Sequence, residues 1–597
     1  MKDFFKYTLA TILGIIILSV IAGILFMISI AGIVASNSSS MKAEKNSVFV
    51  LKLNGIIKER AQDAGPLSAL MGQASMEAMG LDDIVEAIGK AKDDENIEGI
   101  YIESGAAVFD TPATAQQVRD ALKDFKKSGK WIIAYGDQYM QAAYYVCSVA
   151  DSVLLNKSGL IDFKGLGGKG MYMTGLYEKL GVKYQAIRVG KYKSAVESVT
   201  RKDMSESDRE QRTAFLQGLW QHMLKDMAES RGVSPEQLNQ VANDSIIVFA
   251  SVDDYMKAHL IDGSMYPDSL RSIIRSKMGV DTDDDIHQLM LDDMKSRISE
   301  KKEKGDKIAI YYAYGEIVDE MASGFMNEHA IVGQKTVDEL NELANDESVK
   351  AVVMRVNSPG GSAIASEQIW HALKQLKLKK PLVVSMGGYA ASGGYMISAP
   401  ASYIIAEPTT ITGSIGIFGL VPNFSQLASD KLGITWDGVT TNKFGNYEND
   451  LVFSKDNAET IQFMQSYVDR GYDNFLSIVA DGRGMTKEQV HEIAQGRVWV
   501  ATDALNIKLV DALGSLGDAV KKAAELAGID GEYYTSAYPA PESWLSTIMN
   551  TDEDKGSYLD SELHLMLGEL YEPVMEMRRD MARNRLQTRL PFSMTVR

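Results

Sequence analysis

Lys130–Asp151 reads KWIIAYGDQYMQAAYYVCSVAD, and Pro381–Ser402 reads PLVVSMGGYAASGGYMISAPAS. Each opens on a short apolar run, passes through small residues and closes on an apolar stretch, with Tyr144 and Tyr395 at matching places. Pro381 lies 251 residues after Lys130. Further along, Ala228–Leu238 (AESRGVSPEQL) is matched by Ala480–Val490 (ADGRGMTKEQV), 252 residues on. Ser47–Glu59 (SVFVLKLNGIIKE) is echoed more loosely by Lys307–Glu320 (KIAIYYAYGEIVDE). There Gly55 and Gly315 are 260 residues apart, so a small insertion follows Gly55 in the first unit. A near-constant offset over separate stretches marks a duplicated domain, and a unit this long is no solenoid repeat.

Within each unit, short apolar runs alternate with helical patterns. Ala351–Val356 reads as a buried strand, Ser366–Leu376 as a helix with Ile369, Leu373 and Leu376 on one face, and Leu382–Met386 as the next strand. That alternation implies crossover connections and a largely parallel α/β sheet. The organisation expected is residues 1–45 as a membrane anchor, 46–280 and 307–540 as the two repeats, 281–306 as a charged linker helix or solvated connector, and 541–597 as a polar helical tail.

The chain has 597 residues, 45% hydrophobic and 24% charged, enough to bury a core in each repeat. Its 80 Asp and Glu outnumber 62 Lys and Arg, giving a net charge of −18, which disfavours nucleic acid as the main partner. A single cysteine, Cys147, excludes an intramolecular disulfide framework and a multi-cysteine zinc site. No G-x-x-x-x-G-K-[ST] loop occurs, so ATP is not an expected cofactor.

Between Lys6 and Lys42 there is no charged residue, and the apolar centre, about residues 9–34, exceeds the ~20 residues that cross a bilayer as a helix. A cleaved signal peptide has a shorter apolar region, of about 7 to 15 residues, so an uncleaved anchor is expected. Lys2 and Lys6 before the span balance Lys42 and Lys45 after it, which leaves orientation open.

Two glycine-rich stretches carry the candidate chemistry. Asn357–Ser362, NSPGGS, follows a strand and precedes a helix. Its glycines let backbone N–H groups turn into a cavity, as an oxyanion site needs, although an ordinary tight turn has the same composition. Ser392 lies among small residues at the expected start of a helix, either as an exposed nucleophile or as a helix cap. With both stretches at the ends of neighbouring strands, the amides of Gly361 and Gly393 could flank the Ser392 hydroxyl. None of the seven histidines sits in such a setting, so a Ser-His-Asp triad is not supported, and lysine is the alternative base.

The repeat supplies that lysine. Gln141 stands where the second unit has Ser392, and the first unit reads SGAAVFD from Ser104 where the second has the SPGG turn. Conversely, VGKYKSAVES (Val189–Ser198) aligns with TNKFGNYEN (Thr441–Asn449), so that Lys191 matches Lys443 and Lys193 meets Gly445. One half keeps a serine and the other keeps a lysine, which implies a site assembled from both. As a base Lys193 must be neutral near pH 7, and bringing a lysine from its ordinary pKa of about 10.4 to there disfavours the ammonium by about 4 kcal/mol. Burial can supply that. Lys191 is expected to face solvent, because a second buried ammonium is costly. Ser414, in TGSIGIFG, either orients the lysine amine or is a plain turn serine.

Together, GKYKSA (from Gly190), RVNSPGGS (from Arg355), GGYAASGGYMI (from Gly387), TGSIGIFG (from Thr412) and GRVWVATDAL with LVDALG (from Gly496) closely resemble the signal peptide peptidase A family of serine peptidases, in its long duplicated bacterial form. The resemblance spans essentially the whole chain; Lys508 departs from the family's usual glycine. It implies tandem spiral ββα domains of the ClpP and crotonase superfamily. It also implies Ser392 as nucleophile, Lys193 as general base, and no cofactor. The implied role is endopeptidase degradation of residual signal peptides and other short apolar peptides. The implied setting is a homotetramer anchored in the bacterial inner membrane and facing the periplasm. A crotonase-like acyl-CoA enzyme or a catalytically idle membrane scaffold are the competing readings.

Overall fold

The computed structural model describes residues 43–61, 78–244, 247–281, 283, 286–298, 303–320, 329–540 and 586–589. The anchor expected over residues 9–34 lies outside them; among the described residues no helix is long and apolar enough to cross a membrane.

Two largely parallel sheets dominate; among the described residues, the one antiparallel pair on their paths is Val498–Val500 with Ile411–Gly413. In the first repeat the strands run Met79–Gly80, Ser47–Lys58, Ile97–Phe109, Trp131–Tyr139, Ser152–Ile161 and Gly263–Ser264 across the sheet. In the second they run Val498–Val500, Ile411–Gly413, Leu382–Ala391, Val349–Ser358, Asp306–Tyr314 and Tyr533–Tyr538. Helices pack on both sheets and bury apolar side chains such as Leu122, Phe125 and Tyr144 in the first repeat and Leu373, Leu376 and Tyr395 in the second. The strand and helix read from sequence are present and longer, at Val349–Ser358 and Ala363–Lys379, with Ile369, Leu373 and Leu376 buried. Ser362 starts that helix by accepting the Ala365 amide, one of the donors a helix start leaves without a partner.

The duplication extends to local detail. Each repeat has a 26-residue helix, Glu206–Arg231 and Ala458–Arg483, ended by a left-handed glycine, Gly232 and Gly484. The arginine before each glycine pairs with an aspartate that also caps a strand: Arg231 with Asp262, and Arg483 with Asp511. Asp262 accepts the Val153 amide and Asp511 the Ile404 amide.

A third, mixed sheet joins the halves. Lys183–Arg188 of the first repeat pairs antiparallel with Phe418–Asn423 of the second, from Arg188 opposite Phe418 to Lys183 opposite Asn423. Within the charged connector, His287–Leu289 adds to the first sheet beside Ser47–Phe49, and Leu291–Ile298 is a helix. Of the tail, only Leu586–Arg589 is described, and it is a strand, not the helix expected there: it pairs antiparallel with Gly360–Ser362 and with Phe418–Gly419.

Candidate active site

Ser392 follows the strand Leu382–Ala391 and precedes the helix Gly393–Ser398. Its φ of 57° places a side-chain-bearing residue in the left-handed region, a conformation that persists only where its surroundings enforce it. The enforcement is visible: the Ser392 amide donates to Gly413 O at 2.8 Å, and the amides of Tyr395 and Met396 donate to Ser392 O. Ser414 shares the unusual backbone, with φ of 49°, and its amide donates to Arg497 O at 2.6 Å. Two serines from different strand ends are thus held turned toward one point.

Lys193 occupies that point. It comes from the first repeat, yet its Nζ lies 2.7 Å from Ser392 Oγ, 3.0 Å from Ser414 O and 3.0 Å from Ser414 Oγ. Lys193, Ser392 and Ser414 are all 0% exposed. Lys191, two residues earlier, is exposed.

The lysine reaches across because its segment is sewn to the second repeat. The Tyr192 amide donates to Gln495 O, and Val189 to Ile417 O. Gln211 bridges the halves, donating to Tyr192 O and accepting the Val498 amide. Arg188 donates to Lys193 O at 2.8 Å. The backbones come close enough that a Cβ on Gly496, at φ +79°, would lie 2.7 Å from both the Cβ and the amide nitrogen of Lys193. Gly496 opens the GRVWVATDAL motif, and this close approach is what requires a glycine there. Missed outright were Arg188, which turns back onto the segment that follows it, and Gln211, which joins that segment to the second repeat.

The SPGG turn lies against the serine. A Cβ on Gly394 would come 2.6 Å from Ser358 O, so the start of the Gly393–Ser398 helix touches the turn directly. Gly393 is the first residue of that helix, where an N–H has no partner within the helix. Gly361 lies in the strand Gly360–Ser362, opposite Ile317 on one side and Thr588 on the other, and a Cβ there would sit 1.9 Å from Ile317 O. Ser358 Oγ accepts the Gly360 amide.

The corresponding corner of the first repeat is filled by its own side chain. Gln141 Oε1 accepts the amides of Lys164 and Gly165, and its Nε2 donates to Gly165 O.

Comparison with known proteins gives a consistent result. The family described as peptidase family S49 matches residues 124–280 and 374–530, once in each repeat, and the Clp protease family matches residues 320–409, which include the SPGG turn and Ser392. "Protease 4" of Salmonella typhi is 36% identical over 528 residues, 86% of this chain and 84% of the relative. "Protease 4" of Haemophilus influenzae is 35% identical, covering 82% of this chain and 81% of the relative. "Serine protease SPPA, chloroplastic" of Arabidopsis thaliana is 27% identical over 82% of this chain and 70% of the relative.

Proposed function

The chain belongs to peptidase family S49 and is a serine-type endopeptidase, and on that premise we propose that Ser392 is its nucleophile and Lys193 its general base. The observation that carries this reading is the 2.7 Å approach of a buried lysine amine to a buried serine hydroxyl across the two repeats. Valence then assigns the protons. A neutral amine has two N–H bonds and one lone pair. The Ser414 carbonyl can only accept, so it takes one N–H, and the Ser414 hydroxyl can accept the other. The lone pair is left facing the Ser392 hydroxyl.

In the first half-reaction Lys193 Nζ takes the proton from Ser392 Oγ as the oxygen attacks the scissile carbonyl carbon. The amides of Gly361 and Gly393 donate to the oxyanion, a term worth about 3 to 4 kcal/mol per donor in other enzymes. The lysine proton passes to the departing amine, leaving an acyl ester on Ser392. Water then attacks the ester, giving a proton to Lys193 and expelling the carboxylic acid product, and Ser392 regains its proton. The substrate enters as an extended chain: the backbones of Gly360–Ser362 and Phe418–Gly419 already hold one strand, Leu586–Arg589, antiparallel between them.

Residual signal peptides and short apolar peptides are the substrates this reading assigns, with the enzyme anchored in a bacterial inner membrane through residues 9–34 and facing the periplasm. Both repeats take the spiral ββα arrangement of the Clp superfamily. The homotetramer also draws support from the duplication. The segment around Lys193 packs across the second repeat. Its counterpart around Gly445 exposes Leu432, Ile434, Trp436, Val439, Phe444 and Tyr447, an apolar surface that the first repeat of the next subunit would cover.

The test is peptide hydrolysis by wild type, Ser392→Ala and Lys193→Ala from mildly acidic to alkaline pH. Wild-type activity should rise with pH as the base loses its proton, and both variants should be inactive. Activity retained by either variant contradicts the dyad.

A further inference from the structure

Arg355 interrupts the apolar run Ala351–Val356 and is 0% exposed. Its Nε donates to Glu59 Oε1 at 2.6 Å and its Nη1 to Ser385 Oγ at 2.9 Å. Glu59 belongs to the first repeat, directly after the strand Ser47–Lys58, and is 3% exposed. The strand that leads to Ser392 makes room for the pair: a Cβ on Gly387 would meet Glu59 Oε2 at 3.0 Å and Arg355 Nη2 at 3.1 Å. A buried ion pair of this kind is a poor source of stability, because desolvation offsets most of its Coulomb attraction. Its placement suggests another use.

Glu59 has a second partner. Its Oε2 accepts from Asn357 Nδ2 at 3.0 Å, while Asn357 Oδ1 accepts the Tyr389 amide at 3.0 Å. A carboxylate can only accept and a peptide N–H can only donate, so Asn357 has one workable orientation. The contact falls where the two strands lose register. Val356 is opposite Met386, but Ser358 is opposite Ala390, so Gly387–Tyr389 form a bulge facing the single residue Asn357. The Asn357 side chain replaces the ladder bond that the bulge removes. Asn357 immediately precedes Ser358 and the SPGG turn, and Tyr389 lies three residues before Ser392. One amide therefore links the turn to the nucleophile's strand.

We propose that Glu59 is a positioning residue supplied by the first repeat, which orients the Asn357 amide and so holds the SPGG turn and Ser392 in their working relation. The first repeat thereby contributes to the site twice, through Lys193 and, by a separate route, through Glu59. This rests on Ser392 being the nucleophile.

The test exchanges the two functional groups in the full-length protein, with kcat and KM measured on a fluorogenic peptide well below each variant's melting temperature. Glu59→Gln should lower kcat about tenfold, by leaving one buried donor without an acceptor. Asn357→Asp sets two carboxylates against each other and should lower kcat about 100-fold. The double variant restores one amide and one carboxylate with their places exchanged: the amide introduced at position 59 donates to the carboxylate introduced at position 357, which still accepts the Tyr389 amide. Its kcat should return to within about fivefold of wild type, with KM little changed throughout. If Asn357→Asp alone does not fold, adding it to Glu59→Gln still decides: a rise in kcat supports the proposal and a fall overturns it. Single variants with wild-type kcat, or a double variant as slow as the product of the singles, also overturn it. Ser392→Ala is assayed alongside. If it is active, the nucleophile assignment fails and takes this proposal with it; if it is inactive while the cycle shows no coupling, only the positioning role fails.

Discussion

Gln141 and Ser392 occupy the same corner of the two repeats, each at the junction between a parallel strand and a short buried helix. In the first repeat the chain passes through this corner relaxed, with Met140 at φ −67°, and Gln141 spends its polar atoms on the local loop at Lys164 and Gly165. In the second, Ser392 is held at φ 57° and its hydroxyl faces a lysine from the other repeat. The lysine segments differ in the complementary sense. Lys193 is buried under the second repeat, whereas the region around Gly445 is exposed. The two repeats share one frame, and the proposed site draws its serine from one and its lysine from the other.

Breaking the retained members of this comparison should have the largest effect. Ser392→Ala and Lys193→Met should each lower kcat/KM by at least about 1000-fold, since members of a catalytic unit fail together. Gln141→Ser is the reciprocal change and should yield no second active site, because Gly445 stands where a lysine would be needed; labelling with a fluorophosphonate should modify Ser392 and leave residue 141 unmodified.

The next effect concerns how the lysine is admitted. Asp244 lies 252 residues before Gly496, so the first repeat carries a side chain where the second cannot. Gly496→Ala should displace the Lys193 backbone and lower kcat about 10- to 100-fold, with little change in KM. Ser414→Ala removes one acceptor but keeps the carbonyl, and should cost about tenfold in kcat, consistent with one hydrogen bond.

The smallest effect lies in the charged seam between the repeats. Burial pushes the Glu407 carboxyl up to about 8, with the nearby Arg355 guanidinium partly opposing. Burial likewise raises Asp82 and Asp110 to about 6. For such groups the folded state holds protons that the unfolded state has released. Their contribution is complete below the ordinary carboxylate range and declines as pH rises, for Glu407 until about 8. Stability should therefore fall across that window, and Glu407→Gln should flatten the fall; melting temperatures of the two proteins from mildly acidic to mildly alkaline pH check this.

Much of this was legible from the chain because a repeat is its own alignment. Offsets near 251 placed Gln141 against Ser392 and Gly445 against Lys193, and alternating apolar runs gave the parallel strands. The joining surfaces were not legible. Glu59 meets Arg355 across 296 residues, and Lys183–Arg188 pairs with a strand more than 200 residues away; neither contact leaves a local period. A trace was there nonetheless: Arg355 interrupts the apolar run Ala351–Val356, and a buried arginine demands a partner. The Gly387–Tyr389 bulge escaped notice because glycine and tyrosine also suit a plain strand end.

The central claim is that the amine of one repeat activates the hydroxyl of the other. The rate at which a fluorophosphonate phosphonylates Ser392 measures this directly, because it isolates nucleophile activation from substrate binding. In wild type the rate should climb with pH, with Ser392 as the modified residue by mass spectrometry; in Lys193→Met, folded to the same melting temperature, it should be slow and flat. Wild-type labelling kinetics in Lys193→Met would contradict the account.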